Sequence, residues 1–285
     1  MSIERLKEFF GMKELPFTNS IGPQFLYQNP SQNSITEKLA LTVDTNSFAL
    51  LTGTPGTGKS TVLRRFVSTL DKDKTKVLYV SLSNPTPRWL YTVPLEILGI
   101  KPHIYVNDAR KQFHQELEVQ LKTYGRKVVM VIDEAHLLTQ SYRRFDMLEE
   151  IRFLLNGQQY DSGSPLSLIL SGQTEILPLL QNERCQAITQ RIMYICKTGP
   201  LAETQVGSYM AAHLRWAGVA DSIFSHEAVD EIARLSGGNP RMINKICTHS
   251  LNYAVLKNEK IVTKDIVNQA ANTEILEIIL KKQEG

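Results

Sequence analysis

The run Gly53-Thr54-Pro55-Gly56-Thr57-Gly58-Lys59-Ser60 constrains the fold of this chain more than any other feature. It has the spacing G-x-x-x-x-G-K-[ST]. It lies between an apolar stretch, "FALL" (48 to 51), and an amphipathic one, "STVLRRFVSTL" (60 to 70). A loop of this composition can turn its backbone N–H groups inward on one anion, because glycine permits the backbone angles and the close approach. The helix that follows adds its unpaired N–H groups and the positive end of its dipole. Strand, loop and helix together predict a cradle for nucleotide phosphates. Lys59 is placed to reach the β- and γ-phosphates, and the Ser60 hydroxyl to ligate Mg²⁺, with Thr61 completing the cradle.

A loop of this kind needs a carboxylate for its metal. "VVMVIDEAHLL" (128 to 138) supplies a buried-strand pattern ending in Asp133, followed by Glu134. At the C-terminal edge of a parallel sheet both residues come beside the loop, where such sheets bind ligands. Asp133 is expected to hold the metal shell and Glu134 to polarise an attacking water. An acidic pair at a helix start is favoured by the helix dipole alone, but here it coincides with a phosphate loop. The expected cofactors are ATP and Mg²⁺, and the expected reaction is hydrolysis of ATP to ADP and phosphate. The letters Asp-Glu-Ala-His also occur in nucleic-acid helicases. Those need two α/β cores, and 285 residues hold one core and a helical unit.

Apolar runs recur at 48 to 53, 77 to 82, 128 to 133, 166 to 172 and 192 to 199, separated by helical patterns. Most are continuously apolar, as expected of parallel strands buried on both faces. After about residue 200 only helical patterns remain, with Glu, Ser, Asn-Pro and Thr at their starts and Gly or Asn at their ends. The expectation is therefore an α/β parallel sheet flanked by helices (residues 1 to 200), a small all-α unit (201 to 272) and a helical tail (273 to 285). A net charge of +3 does not mark a strongly basic nucleic-acid binder, although a local basic surface remains compatible with it. Three cysteines without CxxC spacing fit buried or free thiols of a reducing compartment, and the histidines show no metal spacing. No run approaches the ~20 apolar residues that span a bilayer, and no signal-peptide core is present, so a cytoplasmic protein without membrane insertion is expected.

On the motifs "TGTPGTGKST" and "VVMVIDEAHLL", with "LPF" (15 to 17), "FLY" (25 to 27), "LSLILSGQTEI" (166 to 176), "AITQRI" (187 to 192) and "LSGGNPRMINKIC" (235 to 247), the chain resembles the AAA+ ATPases. Within them it is most similar to the ExeA-like secretion ATPases, with the transposition regulators TnsC and MuB as relatives. The resemblance covers about 5 to 272. It implies a polar sensor of the γ-phosphate after the fourth strand, Gln173 or Ser171, of which Gln173 is favoured. It implies an arginine that reaches a neighbouring subunit's nucleotide: Arg191, with Arg184 as the alternative. It implies that Arg241 of the helical unit touches the γ-phosphate and that "LPF" and "FLY" wrap the adenine, although plain core packing explains the last two equally.

The resemblance also implies a homo-oligomer, as a ring or helical filament. Two outputs follow. One is a transposition regulator on double-stranded DNA that recruits a transposase, with Arg88 and Lys101 as candidate phosphate contacts. The other is an ATPase for assembly of a secretion or cell-envelope machine. Secretion members continue beyond the helical unit into a membrane anchor, whereas this chain ends at Gly285. On that ground the expectation leans to transposition.

Overall fold

The computed structural model describes residues 3–83, 86–141, 144–156, 164–219 and 223–272. A short helix, α1 (Ile3–Phe10), comes first. There follow α2 (Pro30–Asp44), β1 (Phe48–Gly53), α3 (Lys59–Thr69), β2 (Thr75–Ser81), α4 (Trp89–Ile97), α5 (Val106–Lys122) and β3 (Lys127–Asp133). Then come α6 (Arg144–Leu154), β4 (Ser167–Gly172), α7 (Ile176–Leu180), α8 (Gln186–Thr189) and β5 (Ile192–Thr198). The chain closes with α9 (Glu203–Ala217), α10 (His226–Ser236), α11 (Pro240–Lys257) and α12 (Lys264–Ala271). The expected tail, 273 to 285, lies outside the described residues.

By contacts the chain divides into two units. One holds Pro30–Pro55 and Lys59–Thr198. The other holds the described residues of Met1–Asn29, Gly56–Gly58 and Gly199–Gly285.

In the first unit, all strand pairs are parallel and the order is β2-β3-β4-β1-β5. Successive residues of the central strands feed opposite cores. Phe48 and Leu50 of β1, with Met130, Ile132, Leu168 and Leu170, join the core built with α4 to α7. Ala49 and Leu51, with Val129, Val131 and Ile169, join the core built with α2 and α3. Two covered faces explain why β1 and β4 are buried at every position and read as unbroken apolar runs. Each large aliphatic side chain buried there contributes ~1.5–3 kcal/mol. The edge strands behave differently. In β2 and β5 buried and exposed positions alternate towards the C-terminal end, because one face is less covered there.

The second unit is helical around a single core that includes Val206, Leu214, Ile232, Ile243, Ile246 and Val267. Its helix ends carry the expected chemistry. The side chains of Ser225, Asn239 and Thr263 accept from backbone N–H groups of the first turns of α10, α11 and α12. Gly218, Gly237 and Asn258 close α9, α10 and α11 in the left-handed conformation.

Residues 3–29, expected with the α/β part, cluster instead with these helices. The reason is specific bonding. The Lys13 N–H donates to the Ala217 carbonyl at 2.8 Å, and Leu6, Met12 and Phe17 enter the helical core. The Phe17 N–H donates to Nδ1 of His213 at 3.1 Å, with the two rings stacked at 5.3 Å.

Candidate nucleotide site

The site begins where β1 runs out of core. Gly53 ends the buried strand, and α3 starts six residues later at Lys59. Gly56 and Gly58 lie at φ +83° and +92°, a region that other residues enter only with strain. Lys59 is nearly buried, and its Nζ donates to the carbonyls of Gly53 at 2.8 Å and Thr54 at 3.2 Å. Its charge is thus held over the loop by the loop's own backbone. Thr57 is buried within the loop, while Ser60 and Thr61 open α3 on its exposed side.

Asp133 ends β3 and is buried. Its Oδ2 accepts from the Ser60 hydroxyl at 3.1 Å and from the Tyr79 hydroxyl at 2.5 Å, and its Oδ1 accepts from the Glu134 N–H at 2.9 Å. Both carboxylate oxygens are therefore engaged and the side chain has one orientation. Tyr79 comes from β2, in register with Val131 of β3. Burial first, then the bond to Asp133 and the charges of Asp133 and Glu134, push its phenol well above the ordinary value of 10. It therefore stays a donor throughout the physiological range.

Glu134 leaves the strand in the left-handed conformation, φ 57° and ψ 31°. That turn re-aims its side chain away from the line of β3 and leaves it half exposed. Just beyond, His136 places Nδ1 3.2 Å from Glu134 Oε2 and Nε2 2.8 Å from the side-chain nitrogen of Gln173. Gln173 follows β4 directly. Gly172, the last residue of that strand, packs so closely that a Cβ there would lie 2.7 Å from the His136 backbone nitrogen. Ser171, the alternative sensor, is fully buried in β4, and its hydroxyl has no partner among the described residues.

The remaining candidates make other contacts. Arg191 is exposed at the entry to β5 and donates to the Leu155 carbonyl at 3.3 Å. Arg184 is exposed and lies over the Phe145 ring at 5.1 Å. Arg241 sits in the first turn of α11, its N–H shared between the Asn239 side chain at 3.0 Å and the carbonyl of Gly56 in the glycine loop at 3.3 Å. Arg88 and Lys101 are exposed. The Arg88 guanidinium donates to the His103 carbonyl at 3.3 Å, and the Lys101 carbonyl accepts from Gln112 at 3.1 Å. Leu15, Phe17, Leu26 and Tyr27 all pack in or against the helical unit or are buried, so core packing accounts for much of "LPF" and "FLY". Sequence reasoning missed Tyr79 and His136. Tyr79 carried no signal beyond its strand, and His136 carried only its place three residues after Asp133.

An all-parallel sheet of this order, with a glycine loop between β1 and α3 and paired acids at the end of β3, is a P-loop fold of the AAA type. Residues 42–180 match the family model described as AAA domain. Over 266 residues the chain is 32% identical to General secretion pathway protein A of Aeromonas hydrophila, covering 91% of this chain and 47% of that one. The chain thus spans about half the length of this curated relative. Two solved structures share the fold. The Aeropyrum pernix ORC2 protein has a TM-score of 0.69 at 14% identity, over 93% of this chain and 71% of that chain. Drosophila ORC bound to DNA has 0.62 at 21% identity, over 96% and 65%.

A P-loop fold implies a nucleotide and commonly Mg²⁺. The residues present fit both. Two loop glycines with positive φ permit backbone approach to phosphate, and Lys59 already stands over the loop. The hydroxyl of Ser60 and the carboxylate of Asp133 are hard oxygen donors side by side, which suits Mg²⁺ rather than a softer ion. No cluster of three or more His, Cys, Asp or Glu suited to a metal occurs among the described residues. When bound, the ion would offset phosphate charge. The groups the chain could present there are the loop N–H donors, the Lys59 ammonium and the half-exposed Glu134 carboxylate.

Proposed function

We infer that this chain is an AAA+ ATPase of the ExeA-like family. It binds ATP with Mg²⁺ through residues 53 to 61 and hydrolyses it, with Glu134 polarising water and Gln173 contacting the γ-phosphate. The observation that carries this reading is the 3.1 Å bond from Ser60 to Asp133 beside the glycine loop, with Glu134 next in the chain. A protein that only bound nucleotide would have no use for a half-exposed carboxylate placed there. The 32% identity to a secretion-pathway protein over 91% of the chain supports the family and favours the secretion or envelope-assembly output. The lean towards transposition rested on where the chain ends, which carries no weight in a chain spanning 47% of its relative. Among the described residues no helix is long and apolar enough to cross a membrane.

In this reading the α/β part holds the nucleotide, and the chain works as a homo-oligomer. Arg191, or Arg184 in its place, is the group supplied in trans to the phosphoryl oxygens. Arg241 is the helical unit's contact to the γ-phosphate. Both trans candidates are exposed, as that role needs.

A second reading, a regulator assembled on double-stranded DNA that recruits a transposase, is favoured by one surface. The segment from Lys101 to Tyr105 is exposed at four of its five positions, with Ile104 and Tyr105 at 78% and 73%, and Arg88 is bonded to it. Phosphate contacts from Arg88 and Lys101 would be independent of sequence and strongly weakened by salt.

The test combines phosphate release with electron microscopy, using ATP or a non-hydrolysable analogue, with and without duplex DNA. Hydrolysis and nucleotide-dependent rings without DNA support the secretion-type reading. Filaments on DNA that weaken in Arg88→Ala and Lys101→Ala support the second. Wild-type hydrolysis and assembly in Arg191→Ala and Arg184→Ala would remove the trans-arginine role.

A further inference from the structure

Glu134 and Gln173 are 39 positions apart, yet one imidazole lies between them. The His136 side chain is 12% exposed, against 45% for that of Glu134. Its Nε2 meets the Gln173 amide nitrogen at 2.8 Å. An amide nitrogen only donates, so this ring nitrogen accepts, and the proton of the neutral imidazole then sits on Nδ1. Nδ1 faces the Glu134 carboxylate at 3.2 Å. It is buried, and the angle there is not that of a hydrogen bond, so among the described residues it has no hydrogen-bond partner. With the amide turned over, Nε2–H would donate to the amide oxygen and a bare Nδ1 lone pair would face a carboxylate, which is repulsive. Among the neutral forms the first arrangement is therefore the consistent one. A buried N–H without an acceptor is destabilising, and a small rotation of the half-exposed Glu134 side chain removes that cost. β4 ends at Gly172 directly against the His136 backbone, which fixes the point from which the ring projects.

We propose that His136 is a positioning residue for Glu134: it draws the carboxylate into one orientation through Nδ1–H and ties that orientation to Gln173 through Nε2. The inference rests on the ATPase reading above. An exposed glutamate on three rotatable bonds otherwise samples many orientations, and holding it in one costs side-chain entropy. A histidine that merely fills space beside β4 would have no reason to bridge the proposed water-polarising group and the proposed γ-phosphate sensor.

The test uses the full chain. Steady-state phosphate release against ATP concentration, with Mg²⁺ present, is compared for wild type, His136→Ala, His136→Asn, Glu134→Gln and the Glu134→Gln/His136→Ala double variant. Nucleotide affinity and melting temperature are followed in parallel. The expected result is a kcat about 10- to 100-fold lower in His136→Ala, the scale of a misplaced catalytic group, with KM within about twofold. His136→Asn places an amide N–H close to the Nδ1 position and should recover most of the rate. In the Glu134→Gln background the second substitution should cost nothing further, because the group it positions is already disabled. If the two effects multiply instead, or if KM rises while kcat holds, the positioning role is overturned. If His136→Ala proves unstable, His136→Asn decides alone, by keeping or losing the rate. A wild type no faster than Glu134→Gln would sink the ATPase reading and this inference with it. An active wild type matched by His136→Ala would sink this inference only.

Discussion

The Ser60 hydroxyl donates to Oδ2 of Asp133 over 3.1 Å, joining the start of α3 to the end of β3 across 73 positions of sequence. The same oxygen also accepts from Tyr79. Two donors on one oxygen and the Glu134 N–H on the other leave the carboxylate little freedom, and a metal ligand needs that rigidity.

Tyr79→Phe should therefore loosen Asp133 without emptying the site. The Mg²⁺ concentration that half-saturates ATP binding is expected to rise about tenfold, the usual scale for losing a partner of a metal ligand. The fold should lose only ~1 kcal/mol, because the tyrosine is partly exposed. A magnesium titration of binding of a fluorescent nucleotide checks it. An unchanged midpoint would mean that the phenol is incidental.

Acid should weaken the helical unit through His213. Burial lowers its pKa from 6.5 to about 4, and Nδ1 is occupied in accepting from the Phe17 N–H. The unfolded chain takes up this proton near pH 6.5 and the folded chain only near pH 4. Stability is therefore full above pH 6.5 and falls as pH drops through this window. The loss reaches about 3 kcal/mol once both states are protonated. Melting temperatures between pH 7 and pH 4 should fall more steeply for wild type than for His213→Asn, whose side chain can still accept from Phe17 and does not titrate.

Much of this architecture was legible because it is local or periodic. The glycine loop needs its residues at fixed spacing, and β1 and β4 lie between two cores, so they read as unbroken apolar runs. What stayed hidden depends on register. Tyr79 reaches Asp133 because β2 pairs with β3 one residue for one, and His136 reaches Gln173 because the ends of β3 and β4 meet beside Gly172. No composition rule encodes either meeting. The placement of residues 3–29 with the helices is of the same kind. It rests on bonds such as that from Phe17 to His213, 196 positions away, which an amphipathic pattern at the N-terminus cannot announce.

Gly172→Ala tests the meeting of β4 with the turn after β3. The added methyl would lie 2.7 Å from a backbone nitrogen, which cannot move aside as a flexible side chain could. Overpacking of this kind costs ~1–3 kcal/mol. Chemical denaturation should show that loss, along with slower hydrolysis because His136 shifts. Gly199→Ala, where nothing lies within 4 Å, should show neither.

The proposed activity depends on the grip of the loop and Lys59 on a triphosphate. The most direct measurement is equilibrium binding of ATP with Mg²⁺ to wild type and to Lys59→Ala, with phosphate release followed on the same samples. Wild type should show saturable binding and turnover. Lys59→Ala should lose at least about 100-fold in turnover, the scale for removing one preorganised donor to developing charge, with markedly weaker binding. No measurable affinity in the wild type, or equal behaviour of the two proteins, would contradict it.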